Sequence, residues 1–138
     1  MKKKSFFASL LTLGIAVLVS SNIAFAGSNT PDQVEYKIHL PTTGSEYTDP
    51  ANKCTKADIA QNYCSYLGWK GSGINSWVVY GDSQLTKTVN YNSTGMVYMK
   101  YFSGYGSSYW GYDLKMQIKT DGSTWHPCDV KGYFNPAS

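Results

Sequence analysis

The sequence predicts a mainly β protein, a small antiparallel sandwich or barrel, and three observations support this prediction. The composition is rich in residues that favour strands and turns, with 12 Tyr, 4 Trp and 13 Gly among 138 residues. Two stretches, Val34–Leu40 and 110–119, alternate apolar and polar residues with the period of a half-buried strand. Turn signals recur about every 10 residues, as sandwiches and barrels require.

The amino end, residues 1–26, is predicted to be a signal peptide. Three lysines at positions 2–4 precede an apolar stretch over 6–19, and Ala24-Phe25-Ala26 forms an A-x-A cleavage site. A transmembrane anchor needs about 20 apolar residues, whereas this stretch is shorter and ends in small residues. We therefore expect cleavage before Gly27, which leaves residues 27–138 as one secreted domain without a transmembrane segment.

The charge of the mature chain argues against nucleic acid as a partner. Three of the 12 lysines lie in the predicted leader, so nine lysines face nine acidic residues in the remainder. The chain contains no arginine, the residue that makes bidentate contacts with phosphate and guanine. The same neutrality gives no attraction to an anionic membrane.

The first strand is predicted at Val34–Leu40, and it ends in a stretch that matches a known sorting motif. Residues 40–44 read LPTTG, the signal by which sortases attach proteins to Gram-positive cell walls. That signal lies near the carboxyl end and precedes an apolar segment, and neither condition holds here. A turn that ends the strand is the better interpretation.

One short helix is predicted near residues 56–67. Thr55 and Asp58 form a variant of the capping box, and Gly68 provides a stop. The residues spaced for one helical face are apolar: Ile59, Ala60, Tyr63, Cys64 and Leu67.

Three further strands are predicted at 77–80, 85–91 and 96–102, each bounded by turn residues. The stretch 96–102 is apolar on both faces, which favours a position in the middle of a sandwich or barrel over a solvated surface.

The clearest strand is 110–119, which predicts that its alternate side chains face the core: Trp110, Tyr112, Leu114, Met116 and Ile118. Residues 120–123 form a turn, so 124–134 is expected to return as the hairpin partner. Pro127 has no N–H to donate and should lie at an edge or a bulge.

Three cysteines in an exported chain allow at most one internal disulfide. If the helix forms, Cys54 and Cys64 lie about 15 Å apart along its axis, too far for a bond. Cys64 and Cys128 should then both point into the core, and we predict that they pair. If the helix is absent, Cys54 can instead pair with Cys64 across a loop.

The sequence contains no convincing catalytic or metal site. His126 and Cys128 lie on one predicted strand face, but a buried half-cystine beside a histidine explains them equally well. Two of the acidic residues Glu46, Asp82 and Asp113 could form the carboxylate pair of a glycosidase, but carboxylates on solvated strand faces are the ordinary interpretation. The spacing of the His and Cys residues matches no zinc pattern. We therefore expect a protein that is not an enzyme and has no cofactor.

The unusual feature is an aromatic run over 98–112, interleaved with Gly and Ser. Exposed aromatic rings suit recognition of sugars or proteins, and the predicted ligand-binding residues are Tyr105, Tyr109 and Trp110. The alternative is that two strand ends joined by a Gly-Ser loop give the same composition, with the aromatic side chains forming core.

Two functions are consistent with these observations. The layout resembles small secreted proteins of Gram-positive bacteria, which implies an extracellular location. The first function is a noncatalytic module that binds cell-wall glycan, another surface polymer or a surface protein through the aromatic loop. The second is a secreted bacteriocin or toxin that acts on competing bacteria. The oligomeric state does not follow from the sequence.

Overall fold

The structure is a computed structural model that describes residues 29–137. The predicted signal peptide, 1–26, and the cleavage site before Gly27 lie outside the described residues. Within 29–137 the chain forms short strands and a single helical turn. The strands are β1 (Val34–Leu40), β2 (Glu46–Tyr47), β3 (Ala51–Asn52), β4 (Ile59–Leu67), β5 (Ile74–Tyr80), β6 (Ser83–Gln84), β7 (Val89–Tyr91), β8 (Gly95–Lys100), β9 (Asp113–Thr120) and β10 (Cys128–Asn135), and the helix α1 is Tyr105–Ser108.

The strands form two antiparallel sheets that pack face to face. The first sheet has the order β1-β10-β4-β8. In the second sheet β9 pairs with β5 on one side and with β2 and β3 on the other, and β5 also pairs with β6 and β7. The sheets make a sandwich and do not close into a barrel, so the predicted β class is confirmed. No helix within 29–137 has the length and apolar character needed to cross a membrane.

The core lies between the sheets and includes the inward face of β9. Leu114, Met116 and Ile118 are completely buried, as the alternation predicts. They pack in one cluster with residues of the opposite sheet that include Leu40, Val130 and Phe134. Trp110 and Tyr112, which were predicted on the same face, are instead exposed, because β9 begins only at Asp113.

The predicted helix at 56–67 is wrong, because this segment forms the strand β4. β4 lies between β10 and β8 and pairs with both. Its buried positions are Ala60, Asn62 and Cys64, a period-two set that contains a polar residue. The Asn62 side chain accepts a hydrogen bond from the Tyr36 hydroxyl at 2.6 Å and donates one to the Tyr91 hydroxyl at 2.9 Å. Distant partners thus favour a strand where the local pattern favours a helix.

Two predictions of strand placement are also wrong. The 124–134 segment does not return beside the 110–119 strand, because β10 pairs with β1 and β4 in the other sheet. Pro127 lies just before β10 and therefore interrupts no ladder. The 96–102 segment has one solvated face: β8 is the last strand of its sheet, and Met96 and Tyr98 on its outer face are 45% and 57% exposed.

The three cysteines are unpaired in the structure, so the expected Cys64–Cys128 disulfide is absent. Both side chains are buried, as predicted. However, the register sets Cys64 opposite Gly132, four residues along β10 from Cys128. A strand rises about 3.3 Å per residue, so about 13 Å of strand separates the two positions. A disulfide needs Cα atoms within about 7 Å.

Lys53 is a completely buried lysine directly after β3. Its Nζ donates hydrogen bonds to the carbonyl oxygens of Thr55 and Ala57, each at 2.7 Å, and lies 4.8 Å from the centre of the Tyr101 ring. Burial lowers the pKa of Lys53 to about 8, although the nearby Asp58 carboxylate acts in the opposite direction. The ammonium group therefore holds the irregular segment after β3 in place, although its burial costs desolvation free energy.

Met116→Ala should lower the free energy of unfolding by about 2 to 5 kcal/mol, because it opens a cavity in the core. Lys115→Ala, a change at the exposed neighbour on the same strand, should alter it by no more than about 0.5 kcal/mol. Urea unfolding of both variants measures the two values. Equal effects would show that the strand register is wrong.

Lys53→Met should destabilise the protein by about 1 to 3 kcal/mol at pH 7, because two carbonyl groups lose their donor. Above pH 8 the folded chain releases the Lys53 proton while the unfolded chain, with an ordinary pKa near 10.5, retains it. The wild type should therefore gain stability relative to the variant as the pH rises from 8 toward 10.5. Urea unfolding of both proteins from pH 7 to 9.5 tests this, and a difference that stays constant or narrows would contradict it.

Candidate functional site

Five aromatic side chains meet on the surface at the end of the second sheet where β5 finishes and β9 starts. We call this group the tyrosine cluster: Tyr80, Phe102, Tyr105, Tyr109 and Tyr112. The Tyr80 ring lies 5.2 Å from Tyr112 and 5.7 Å from Tyr109, measured between ring centres. The Tyr105–Tyr109 and Tyr109–Tyr112 distances are 5.5 and 5.2 Å, and Phe102 lies 6.2 Å from Tyr105. Most of these pairs are edge-to-face, a favourable arrangement for aromatic rings.

The helical turn α1 sets the spacing of the rings. Gly104 precedes it with φ of 83°, a left-handed conformation that glycine adopts without strain. The Tyr109 amide then donates to the Tyr105 carbonyl at 3.1 Å, and the Tyr112 amide donates to the Tyr109 carbonyl at 3.1 Å. These bonds bring the rings of residues 105, 109 and 112 to one side of the segment.

The segment just after β3 forms hydrogen bonds with the other end of the aromatic run. The Gly111 amide donates to the Lys53 carbonyl at 2.8 Å, and the Lys53 amide donates to the Tyr112 carbonyl at 2.9 Å. The buried Asn52 side chain donates to the Gly111 carbonyl at 3.0 Å. The cluster is therefore attached to the sandwich by backbone hydrogen bonds, which favours a preformed surface.

Four of the five rings remain open to solvent. Tyr80, Phe102, Tyr105 and Tyr112 each expose 38 to 46% of their surface, whereas Tyr109 is half-buried and packs against the core. Exposed aromatic rings that lie together in one patch indicate a contact surface.

A groove of about 420 Å³ adjoins the cluster and shares Tyr80 with it. Its remaining lining includes Tyr47, Val79, Asp82, Asp113 and Lys115. We call this cavity the Tyr80 groove. The Asp113 carboxylate is held in place, because it accepts hydrogen bonds from the Thr30 hydroxyl and the Asn52 side chain, both at 2.8 Å. The groove thus places oriented polar groups beside an aromatic wall, as ligand sites commonly do.

The structure brings together two of the three predicted ligand-binding residues. Tyr105 and Tyr109 are neighbours in the cluster. Trp110 has a different role: its Nε1 donates to the Cys54 carbonyl at 3.2 Å, and the Lys56 Nζ lies 4.7 Å from its ring centre. These contacts attach the aromatic segment to the loop before β4.

The sequence prediction missed Tyr80, Tyr112 and the groove. Tyr112 was assigned to the core because the alternation continues through it without a break. Tyr80 lies 32 residues earlier in the chain, so only the pairing of β5 with β9 brings it to the cluster. The available signal was its position directly before the Gly81-Asp82 turn, since loop ends of a rigid scaffold commonly carry recognition.

The other candidate residues lie in a loop, in the interior, in the groove and on β2. His126 stacks on Trp69 with ring centres 4.0 Å apart, while the buried Cys128 thiol lies against the Asp129 carbonyl. Of the three acidic candidates, Asp82 and Asp113 line the groove, and Glu46 is exposed on β2. Within 29–137 no three His, Cys, Asp or Glu side chains are grouped closely enough to hold a metal ion.

No known protein family, no curated protein and no solved structure shows significant similarity to this chain.

Proposed function

We propose that this chain is a secreted, noncatalytic binding module that holds a cell-wall glycan or another surface polysaccharide at the tyrosine cluster and the Tyr80 groove. The observation that carries the proposal is the continuity of the two features through Tyr80, whose ring belongs to both. Exposed rings and oriented polar groups meet there within one surface.

Sugars present two kinds of surface, and this site has a counterpart for each. The C–H face of a pyranose ring is apolar and packs on an aromatic face such as Tyr112, which is 44% exposed. Sugar hydroxyls donate and accept hydrogen bonds, for which Asp82, Asp113 and Lys115 offer acceptors and a donor in the groove.

The charges of the groove favour an uncharged glycan over an anionic one. The groove contains two carboxylates and one ammonium group, so it repels a chain of phosphates or carboxylates. The mature chain, with nine lysines and nine acidic residues, adds no long-range attraction for a polyanion. An uncharged polysaccharide of the cell wall is therefore a better ligand than a phosphate-rich wall polymer.

A secreted toxin that recognises a protein on competing bacteria is the second candidate. It is favoured by a separate apolar surface on the outer face of the first sheet. There Tyr63, Tyr66, Met96 and Tyr98 are each 45 to 57% exposed. A flat patch of this kind suits a protein surface better than a sugar chain.

Tyr80→Ala and Tyr112→Ala should each weaken binding to purified peptidoglycan, chitin or cellulose several-fold, because each aromatic contact is worth about 1 kcal/mol. Tyr98→Ala removes a ring of the opposite sheet that is more exposed, at 57%, and should leave binding unchanged. Pull-down isotherms of the mature protein measure the effect after equal thermal stability is verified. Tyr109→Ala is a poor test, because its half-buried ring also supports the core.

The glycan proposal is refuted if the wild type binds none of the three polymers. It is also refuted if Tyr80→Ala and Tyr112→Ala bind as tightly as wild type. In that case the toxin candidate is tested by spotting the mature protein on lawns of related bacteria. A growth-inhibition zone that Tyr98→Ala abolishes and Tyr112→Ala preserves would assign function to the outer face of the first sheet.

A further inference from the structure

A second aromatic surface lies at the opposite end of the β5–β9 pair. The loop before β5 carries Trp69, which is 52% exposed, and the loop between β9 and β10 carries Trp125, which is 84% exposed. Ile74 pairs with Thr120 at this end, and Tyr80 lies six residues further along β5. A strand of that length separates the two ends by about 20 Å.

The two loops enclose a cavity of about 170 Å³, which we call the tryptophan pocket. Its lining includes Trp69, Lys70, Ser72, Thr124, Trp125 and His126. The His126 ring stacks on Trp69 at 4.0 Å with an angle of 27° between the planes, so one wall is already built from two stacked rings. The volume suits a single small ring and not an extended chain.

Ser72 supplies the observation that points to a ligand. Its side chain is only 3% exposed, and its hydroxyl has no hydrogen-bond partner among residues 29–137. A buried hydroxyl without a partner costs free energy and is rare in folded proteins. Ser72 lines the pocket, but its Oγ has almost no surface open to solvent in the rotamer present. A ligand that carries hydroxyl or amide groups would satisfy the hydroxyl once the side chain turns to another staggered rotamer.

The pocket is ordered by a network centred on Asp121. The carboxylate accepts hydrogen bonds from the Ser123 amide at 2.9 Å and the Ser123 hydroxyl at 2.6 Å. The Thr124 hydroxyl joins the loops by donating to the Gly73 carbonyl and accepting from the Gly73 amide, both at 3.0 Å. The Ser123 and Asn90 hydrogen bonds lower the pKa of Asp121, so the network persists at neutral pH. A preformed pocket loses less entropy on binding.

We infer that the tryptophan pocket is a second sugar-binding site that accepts one pyranose unit. Indole faces pack on the apolar face of the sugar, and the Ser72 hydroxyl bonds to one of its polar groups. This inference extends the proposed function, since two sites about 20 Å apart let one polysaccharide chain engage the protein twice. Double engagement strengthens binding without any new contact.

A membrane surface is the competing ligand, since exposed Trp with Lys70 is also typical of proteins that lie on lipid headgroups. Two observations favour the sugar. The carboxylate of Asp121 lies in the same loop as Trp125 and would repel an anionic headgroup. The mature chain also has no net charge to attract anionic lipid.

The test follows the indole N–H signals of the protein by NMR during titration with glucose, N-acetylglucosamine, galactose and mannose. At least one sugar should produce a saturable shift of the Trp125 signal. The Trp77 indole, which donates to the Gln117 side chain at 3.1 Å on the face of the second sheet, is an internal control. The Tyr112→Ala variant gives the same Trp125 shift as wild type if the pocket binds sugar by itself. The result therefore does not depend on whether the tyrosine cluster binds a glycan.

Ser72→Ala is the decisive variant, because removal of a hydroxyl without a partner should leave stability unchanged or improved. It should weaken the sugar affinity roughly three- to tenfold, the value of one hydrogen bond. Trp125→Ala removes the signal followed in the wild type, so this variant is followed at the Trp69 indole N–H. That signal should show no saturable shift with sugar. The inference is overturned if no sugar gives a saturable shift, if Ser72→Ala binds as well as wild type, or if only phosphatidylglycerol vesicles perturb Trp125.

Discussion

The antiparallel pairing of β5 with β9 is the constraint on which the rest of the molecule depends. The register runs from Ile74 opposite Thr120 to Val79 opposite Lys115. The inward side chains of this pair form much of the core, and its two ends carry the two aromatic surfaces. A slip of one residue would turn the buried side chains of β9 to solvent, which the burial of three large apolar residues strongly opposes.

Buried polar side chains hold the irregular segments between the short strands, where no ladder of backbone hydrogen bonds does so. Asn52 and Lys53 tie the segment after β3 to the aromatic run, and Lys53 also collects two carbonyl groups of the following loop. Asn62 joins the hydroxyls of Tyr36 and Tyr91 across the interior. Each such group is costly to desolvate. Asn52 and Asn62 bond to partners that are distant in sequence, whereas the Lys53 ammonium bonds to the loop that directly follows it. Their combined effect is to hold irregular segments in one conformation, which a recognition surface requires.

The two surfaces combine the same chemistry with different shapes. The tyrosine cluster is broad and continues into an open groove, which suits several units of a chain. The tryptophan pocket is smaller, which suits a single ring, and it is lined by Ser72, whose hydroxyl has no partner among residues 29–137. Because a rigid strand pair separates them, the distance between the two is constant. Under the proposed function, a polymer that repeats the same unit would contact both surfaces, whereas a small ligand would contact one at a time.

The sequence by itself determined the elements whose information is local. The alternation of Val34–Leu40 predicted β1 with its observed bounds, and the alternation of 114–118 predicted the buried face of β9. Period-two patterning reports which side of a strand is buried, but it does not report which strand lies beside it. Only the tertiary structure decided three other features. They are the pairing of β10, the strand conformation of 59–67 and the contact between the rings of Tyr80 and Tyr112. The physical reason is that each depends on hydrogen bonds and packing between segments that are far apart in the chain.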